Sequence, residues 1–310
     1  MSRTGTGPSV KRLARRERLA AGFMAALVAS AAGCSTTEVP GAEPTSTPEP
    51  IPTARTTVYP LAVTAWYAGF VLHVDAATAV LDPGGGSVEF AIRLESERPD
   101  RATLDAPVLL VVGGSTLEPR REAVLPDVDP GAIVPGSFIF DVGGGFDVTA
   151  AALKVGRTGE HEVVVPMGAA AGQPATYAPV YLDLGGRTTA GSLAVTIHAA
   201  ELRADLPDWG LELPLTALAL SLTYDASFRS DLVGGFAFTT ANVGLVLPDG
   251  RTIAARTDGH SAPAVVINPG ATATALTSRF EVPVPAAGRY LLVILNGTAR
   301  GTIEFEIAGP

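Results

Sequence analysis

The chain has 310 residues, a formal net charge of −9 and one cysteine, Cys34. An acidic chain lacks the basic face that nucleic-acid phosphates require, so its charge argues against a nucleic-acid partner. A single cysteine cannot form a disulfide within the chain. Any folded domain must therefore be stabilised by burial of its core, and the length is sufficient for two domains.

The first 33 residues have the features of an export signal. Basic residues between positions 11 and 18 precede an apolar run of fourteen residues, 19–32. A helix that spans a bilayer needs about 18 to 20 apolar residues, so this run predicts the apolar region of a signal peptide. Arg15 and Arg16 leave the choice between the Sec and twin-arginine export routes open.

The signal region ends in Ala31-Ala32-Gly33-Cys34, which resembles the lipobox of bacterial lipoproteins, although Leu is more usual than Ala31. The resemblance implies that Cys34 becomes the first mature residue and carries diacylglycerol on its sulfur. The leader holds six of the 22 Lys and Arg and one of the 31 Asp and Glu, which leaves 16 against 30 afterwards, a net charge of about −14. Such a balance predicts attachment by acyl chains alone, at the outer face of the cytoplasmic membrane.

Residues 34–58 have the composition of a linker. Five prolines lie between positions 40 and 52 among Ser, Thr, Glu and Gly, with few large apolar side chains. Proline favours the polyproline II conformation, at about 3.1 Å per residue, so the segment could hold a folded part up to about 70 Å from the membrane. Its Thr and Pro content also makes it a candidate for O-glycosylation, a question that composition leaves open.

From Tyr59 onward, short alternating segments separated by Gly and Pro predict an all-β fold. In a strand, every second side chain points to the same face, so apolar residues at alternate positions mark a core face. Three segments carry the pattern: Val88, Phe90, Ile92 and Leu94; Leu218, Leu220, Leu222 and Tyr224; and Ile303, Phe305 and Ile307.

The chain also repeats itself at a shift of about 140 residues. Asp129-Pro-Gly131 before one predicted core strand matches Asn268-Pro-Gly270 before another, and Ala68-Gly69 matches Ala190-Gly191. We predict two tandem immunoglobulin-like β-sandwiches, at 59–168 and 179–310, joined by an inter-domain linker at 169–178. Each has its own alternating strands, so we expect each to fold independently.

The lipobox-like leader, the domain size and the late strand after Pro-Gly give the chain a family resemblance. It resembles the telokin-like, immunoglobulin-fold domains of secreted and lipid-anchored proteins of actinobacteria and their neighbours. The resemblance implies an immunoglobulin fold and a location outside the cytoplasm. It implies no chemistry.

The sequence carries no catalytic constellation that we recognise. No Gly-x-Ser-x-Gly motif is present, and the four histidines do not cluster, so we expect no enzyme, no catalytic residue, no cofactor and no zinc site. Carboxylates are better candidates for metal binding. Asp127 and Asp129, and separately Asp205, Asp208 and Glu212, leave a calcium-stabilised surface as an alternative, although their spacing matches no regular calcium loop.

The second repeat contains an extra stretch, 206–215, that has no counterpart in the first. Loops inserted into rigid sandwiches commonly carry binding function, so Trp209, Asp208, Asp205 and Glu212 are the candidate binding residues. Alternatively, Trp209 folds back and covers the core of its own domain. Of these two interpretations, binding contact or cap, we favour the cap.

Together these features predict a lipid-anchored, extracytoplasmic lipoprotein that acts as a non-catalytic binding or interaction module of the cell envelope. Its expected partners are the membrane, through the diacylglyceryl group on Cys34, and a protein or envelope polymer. The alternatives are a carbohydrate-binding lipoprotein and a calcium-stabilised surface protein, with a hydrolase the least favoured. Aromatic residues make up only 6% of the chain, which weakens the carbohydrate alternative.

Overall fold

A computed structural model describes residues 53–121, 125–229, 234–257 and 263–308. The leader, Cys34 and most of the predicted linker lie outside the described residues, and the expectations for them stay predictions. The described part is all-β, as the alternating pattern predicts. Its helical segments are three-residue 3-10 turns at Val148–Ala150, Ala169–Ala171, Pro207–Trp209 and Thr240–Asn242.

The first sandwich has two antiparallel four-stranded sheets. Its strands are β1 (Arg55–Tyr67), β2 (Phe70–Asp82), β3 (Gly85–Ser96), β4 (Val108–Val112), β5 (Ser115–Leu117), β6 (Ile133–Gly143), β7 (Ala151–Val155) and β8 (Val163–Pro166). The strand order is β1-β2-β3-β6 in one sheet and β5-β4-β7-β8 in the other. β6 therefore crosses back to pair with β3 rather than with its neighbours in sequence.

The second sandwich follows the same plan with four additional strands. Its strands are β9 (Val180–Ala190), β10 (Leu193–Arg203), β11 (Asp205–Leu206), β12 (Leu211–Glu212), β13 (Ala217–Phe228), β14 (Phe236–Thr239), β15 (Val243–Val246), β16 (Thr252–Ala254), β17 (Ala264–Ile267), β18 (Thr272–Pro283), β19 (Gly288–Asn296) and β20 (Ala299–Ile307). Its main sheets have the orders β9-β10-β13-β18 and β16-β15-β19-β20. The additional strands form two small ribbons, β11-β12 and β14-β17.

Strand order shows that the sequence repeat is a structural repeat. β1, β2, β3 and β6 of the first sandwich occupy the positions of β9, β10, β13 and β18 in the second. The matched Pro-Gly segments form equivalent turns before β6 and β18. The Ala132 N–H donates to the Asp129 carbonyl (2.9 Å) and the Ala271 N–H to the Asn268 carbonyl (3.0 Å). Gly131 and Gly270 have φ of 67° and 78°, a conformation that glycine adopts without strain.

The predicted core faces are buried. Val88, Phe90, Ile92 and Leu94 of β3 are at most 2% exposed, whereas Glu89 and Arg93 between them are exposed. In the second sandwich Leu220, Leu222 and Tyr224 of β13 are fully buried, and Ile303, Phe305 and Ile307 of β20 are buried as well. Leu218 is only partly buried. Burial of each such large side chain contributes about 1.5 to 3 kcal/mol, which makes these faces the main stabilising element.

Each sandwich has its own hydrophobic cluster. One cluster lies within residues 65–165 and the other within residues 190–307, and they share no member. The two sandwiches nevertheless belong to one compact unit, 51–310. Separate cores agree with two domains, whereas independent folding stays a prediction, because the sandwiches also contact each other through polar groups.

Two predicted boundaries differ in detail. β1 begins at Arg55, so the last four residues of the predicted 34–58 linker belong to the first sandwich. Three of these four residues are β-branched, a type that favours strands, and all four pair with β2, from Arg55 opposite Leu81 to Val58 opposite Thr78. The predicted 169–178 linker is partly bound to the first sandwich: the Thr176 carbonyl accepts from the Trp66 N–H (2.9 Å), and Tyr177 contacts the ring of His161.

Candidate functional site

The extra stretch of the second sandwich is a ribbon inserted between β10 and β13. β11 and β12 pair with each other, and a 3-10 turn over Pro207–Trp209 joins them. The turn ends at Gly210, whose φ of 59° lies in the left-handed region. The corresponding strands of the first sandwich, β2 and β3, are joined by a short turn at 83–84. We refer to residues 204–216 as the insert.

One side of the insert docks on the first sandwich. The His161 N–H donates to the Leu213 carbonyl (3.3 Å), and the Leu215 N–H donates to the Gly159 carbonyl (3.0 Å). The insert also approaches the β1–β2 turn so closely that a Cβ on Gly69 would lie 3.0 Å from Pro207 Cα. The two sandwiches are therefore joined through backbone groups of the insert.

Two candidate binding residues, Asp205 and Glu212, lie in this contact. Both are nearly fully buried, at 2% and 4% exposure. Asp205 Oδ2 accepts from the Gly69 N–H and Glu212 Oε2 from the Ala68 N–H, each at 2.7 Å. Ala68 and Gly69 both have positive φ, the hairpin geometry that matches strand twist. The two carboxyl groups thus accept from two backbone donors of the first sandwich, and neither is available on the surface of the insert.

Arg203 compensates the charge of Asp205. It is 7% exposed at the end of β10, and its Nε donates to Asp205 Oδ1 (2.7 Å). Its other guanidinium nitrogens donate to Glu201 Oε1 (3.1 Å) and to Glu97 of the first sandwich. One buried guanidinium therefore joins carboxylates of both sandwiches, and such charge-assisted bonds are about twice as strong as neutral ones.

Glu212 has no cation of its own in this contact. Its Oε1 is buried without a hydrogen-bond partner among the described residues. Burial, together with the negative charges of Asp205 and Glu160, raises the pKa of Glu212 to about 9, against the lowering effect of the Ala68 N–H. Glu212 is therefore protonated at neutral pH. Nearby, Glu160 Oε2 accepts from the Tyr67 hydroxyl (2.6 Å), and burial and this bond raise the pKa of Tyr67.

The other side of the insert carries the remaining candidates, Trp209 and Asp208. Trp209 is 45% exposed, and Asp208 Oδ2 lies 3.3 Å from a terminal nitrogen of Arg279 on β18. Arg279 Nε also donates to Ser221 Oγ of β13 (3.1 Å). Asp208 and Ser221 thus hold the Arg279 guanidinium over the outer face of the β9-β10-β13-β18 sheet.

An open cleft of about 680 Å³ lies over this outer face. The sheet supplies its floor, the insert supplies Asp208 on one wall, and β17 with the residue before it supplies another. Its lining residues are Tyr181, Ala199, Ala200, Glu201, Asp208, Ser221, Thr223, Pro263, Ala264, Val265, Ala275, Leu276, Thr277 and Arg279. The volume is within the range of about 300 to 1,000 Å³ that small-molecule sites occupy.

Tyr181 is the exposed aromatic side chain of the cleft. It lies on the edge strand β9 and is 70% exposed. Its partial burial and the neighbouring Glu201 carboxylate, which also accepts a hydrogen bond, raise the pKa of Tyr181. Glu201 is itself bound to Arg203, so the side chains that join the two sandwiches also support one end of the cleft.

Two of the four histidines and the acidic pair of the first repeat have local partners. His73 is bonded to Thr64 Oγ1 (3.1 Å), His198 lies 3.0 Å from Asp225, and Asp127 and Asp129 lie near Arg101. Across the ranges described above, no group of three or more His, Cys, Asp or Glu side chains is arranged to hold a metal ion.

Sequence reasoning identified the insert but not its partners. Arg203, Glu97, Arg279 and Tyr181 were not among the candidates, although all four belong to the contact or the cleft. The signal that could have identified Arg203 is its position at the end of an alternating strand, two residues before an acidic insert. No local pattern marks Arg279 or Tyr181.

The fold defines the class of the protein: an all-β chain of two immunoglobulin-like β-sandwiches with an insert and a cleft on the second. No protein-family model matches the chain. The search of curated proteins likewise gives no match. In the part of the chain that the structure describes, no helix has the length and apolar character needed to cross a membrane.

We predict that Trp209→Ala changes the free energy of unfolding by less than about 1 kcal/mol, because its side chain is half exposed on the insert. A buried aromatic cap would instead cost about 3 to 5 kcal/mol. Urea titrations of wild type and variant measure the difference. Phe238→Ala, which truncates a fully buried aromatic of the same sandwich, is the matched control. A loss at Trp209 as large as that at Phe238 would show that Trp209 is a cap.

Proposed function

We propose that the chain is a lipid-anchored, extracytoplasmic lipoprotein whose two sandwiches form a non-catalytic binding module of the cell envelope. The single observation that supports a binding module best is the open cleft beside the insert. Its polar lining consists of hydroxyl groups and of charges that already have partners within the protein. Such groups bind a ligand by hydrogen bonding and shape.

The manner in which the insert is fixed supports the same proposal. A binding surface is more precise when rigid elements hold it, and the insert is attached to the first sandwich on one side while Asp208 reaches the cleft on the other. The first sandwich then contributes to binding indirectly, because it holds the insert in place.

The envelope address rests on the signal-like leader, the lipobox-like segment at Cys34 and the Pro-rich linker. The linker leads directly into β1, so a chain anchored at Cys34 would present both sandwiches at a distance from the membrane. The outer face of the cytoplasmic membrane is the proposed location, and the partner is a protein or envelope polymer within reach of the linker.

Cys34→Ala is expected to move the full chain from the membrane fraction to the soluble fraction, because alanine has no thiol to accept diacylglycerol. Cell fractionation followed by immunoblotting measures the distribution, and mass spectrometry of the mature N-terminus detects the acyl groups. Ser35→Ala, one position along, is the matched control and is expected to behave as wild type. If the Cys34 variant stays in the membrane fraction at the wild-type level, the lipid anchor is refuted.

A further inference from the structure

We propose that the cleft on the outer face of the β9-β10-β13-β18 sheet binds a short, neutral oligosaccharide, with Tyr181 stacking on a sugar ring. The proposal rests on the proposed function, because it names the ligand class of the same binding module.

The charges of the cleft favour a neutral ligand. Arg279 is paired with Asp208 at 3.3 Å, and Glu201 with Arg203 at 3.1 Å. A charged ligand would have to compete with these pairs, in which Arg279 is also bound to Ser221 and Arg203 to Asp205. In addition, an anionic ligand would meet a chain whose net charge after the leader is about −14.

The Arg279–Asp208 pair places hydrogen-bond donors and an acceptor side by side in the cleft. Ser221 Oγ and Asp208 hold the guanidinium so that its side chain is only 13% exposed. A guanidinium and a carboxylate side by side offer donors and an acceptor to neighbouring hydroxyl groups, which both donate and accept. Thr223 and Thr277 add hydroxyl groups on the same floor.

The backbone of the floor argues against an extended peptide. β10 is hydrogen-bonded to β9 on one side and to β13 on the other, and β13 is hydrogen-bonded to β10 and β18. Strand addition requires unpaired backbone groups at a sheet edge, which the central strands lack. A ligand that lies over β10 and β13 is therefore bound by side chains alone, which suits hydroxyl groups better than peptide groups, and strand addition is left to the edge strands β9 and β18.

Tyr181 supplies the apolar contact that sugar recognition also needs. The residue is 70% exposed, and it lies opposite Glu201 in the pairing of β9 with β10. The face of an aromatic ring can cover the C–H face of a pyranose, while the ring edge stays hydrated. Tyr181 thus offers an exposed aromatic ring at one end of a cleft that is lined by hydroxyl groups.

The test uses the purified full chain in a non-glycosidic detergent and an array that carries short neutral oligosaccharides, uronic-acid and sulfated oligosaccharides, and extended peptides. We expect binding to neutral oligosaccharides only, confirmed by calorimetric titration. Tyr181→Ala should weaken it at least about tenfold and Tyr181→Phe, which keeps the ring, less than about threefold. Arg279→Met should weaken it at least about tenfold because the diol loses its donors.

Val58→Ala is the matched control for Tyr181, since Val58 is 60% exposed on β1, the strand of the first sandwich equivalent to β9. It should bind as wild type. Binding to acidic oligosaccharides or peptides alone, no binding to any probe, or neutral binding that is unaffected by Tyr181→Ala would each overturn the proposal. These outcomes leave the lipid anchor intact, because Cys34→Ala fractionation tests it separately, and binding to peptides or acidic oligosaccharides alone would keep the binding module while changing its ligand.

Discussion

Arg203→Met is expected to lower the free energy of unfolding of the chain by about 3 to 5 kcal/mol. The substitution preserves much of the side-chain volume but leaves Asp205 buried without its cation. Removal of one partner of a buried ion pair typically lowers the free energy of unfolding by this amount. Glu97 and Glu201 lose the same donor. Urea unfolding followed by tryptophan fluorescence at neutral pH measures the change.

Arg289→Met is the matched control for Arg203. Arg289 also forms an ion pair, with Glu304 at 3.1 Å, but its side chain is 70% exposed. Exposed pairs contribute about 0 to 1 kcal/mol, so this variant should be almost as stable as wild type. A double variant, Arg203→Met with Asp205→Asn, should recover part of the loss because the buried charge is gone. Equal stabilities for the two single variants would refute the role of Arg203.

Glu212→Gln is expected to flatten the dependence of stability on pH between about pH 4.5 and about 9. Burial raises the pKa of Glu212 in the folded chain from its ordinary value of 4.5 to about 9. In this interval the folded chain holds a proton that the unfolded chain has lost. The contribution of protonated Glu212 to the free energy of unfolding is therefore fully present below the pKa that Glu212 has in the unfolded chain. It is lost as pH rises towards 9, at up to about 1.4 kcal/mol per pH unit.

The variant should keep the hydrogen bond from the Ala68 N–H, because the glutamine carbonyl can accept it, while removing the titration. The groups that face Glu212 are Asp205, Glu160, Arg203, Tyr67 and Tyr177, and they are unchanged. Urea midpoints across the interval measure the slope. Glu304→Gln, an exposed acid, is the control and should keep the wild-type slope. An unchanged slope in Glu212→Gln would show that Glu212 is ionised in the folded chain.

The insert connects the two sandwiches to the cleft. Asp205 and Glu212 bind the β1–β2 turn of the first sandwich, while Asp208, between them in sequence, binds Arg279 on the cleft floor. Arg203 contributes to both places, since it binds Asp205 and also Glu201, which lines the cleft. A change that loosens the contact between the sandwiches therefore also removes support from the cleft.

Much of the fold could be predicted because its signals are local. The period of two in β3 assigns Val88 and Phe90 to the core, and a Pro-Gly pair needs only its own residues to form the turns at Gly131 and Gly270. The repeat was visible for the same reason, since equivalent turns and strands recur in the same order. The insert was visible as the stretch that the repeat does not explain.

Only the tertiary structure decided what the insert residues do. Alternation shows which face of a strand is apolar, but it carries no information on which distant surface covers a polar loop. Asp205 and Glu212 bind donors that lie 136 and 144 residues away in sequence, and Arg279 meets Asp208 only because β18 pairs with β13. In the sequence, these acidic residues suggest a solvated binding loop. The fold places Asp205 and Glu212 in a buried contact and Asp208 on a cleft wall. Burial and charge pairing depend on residues that are distant in sequence, and a local sequence pattern does not identify them.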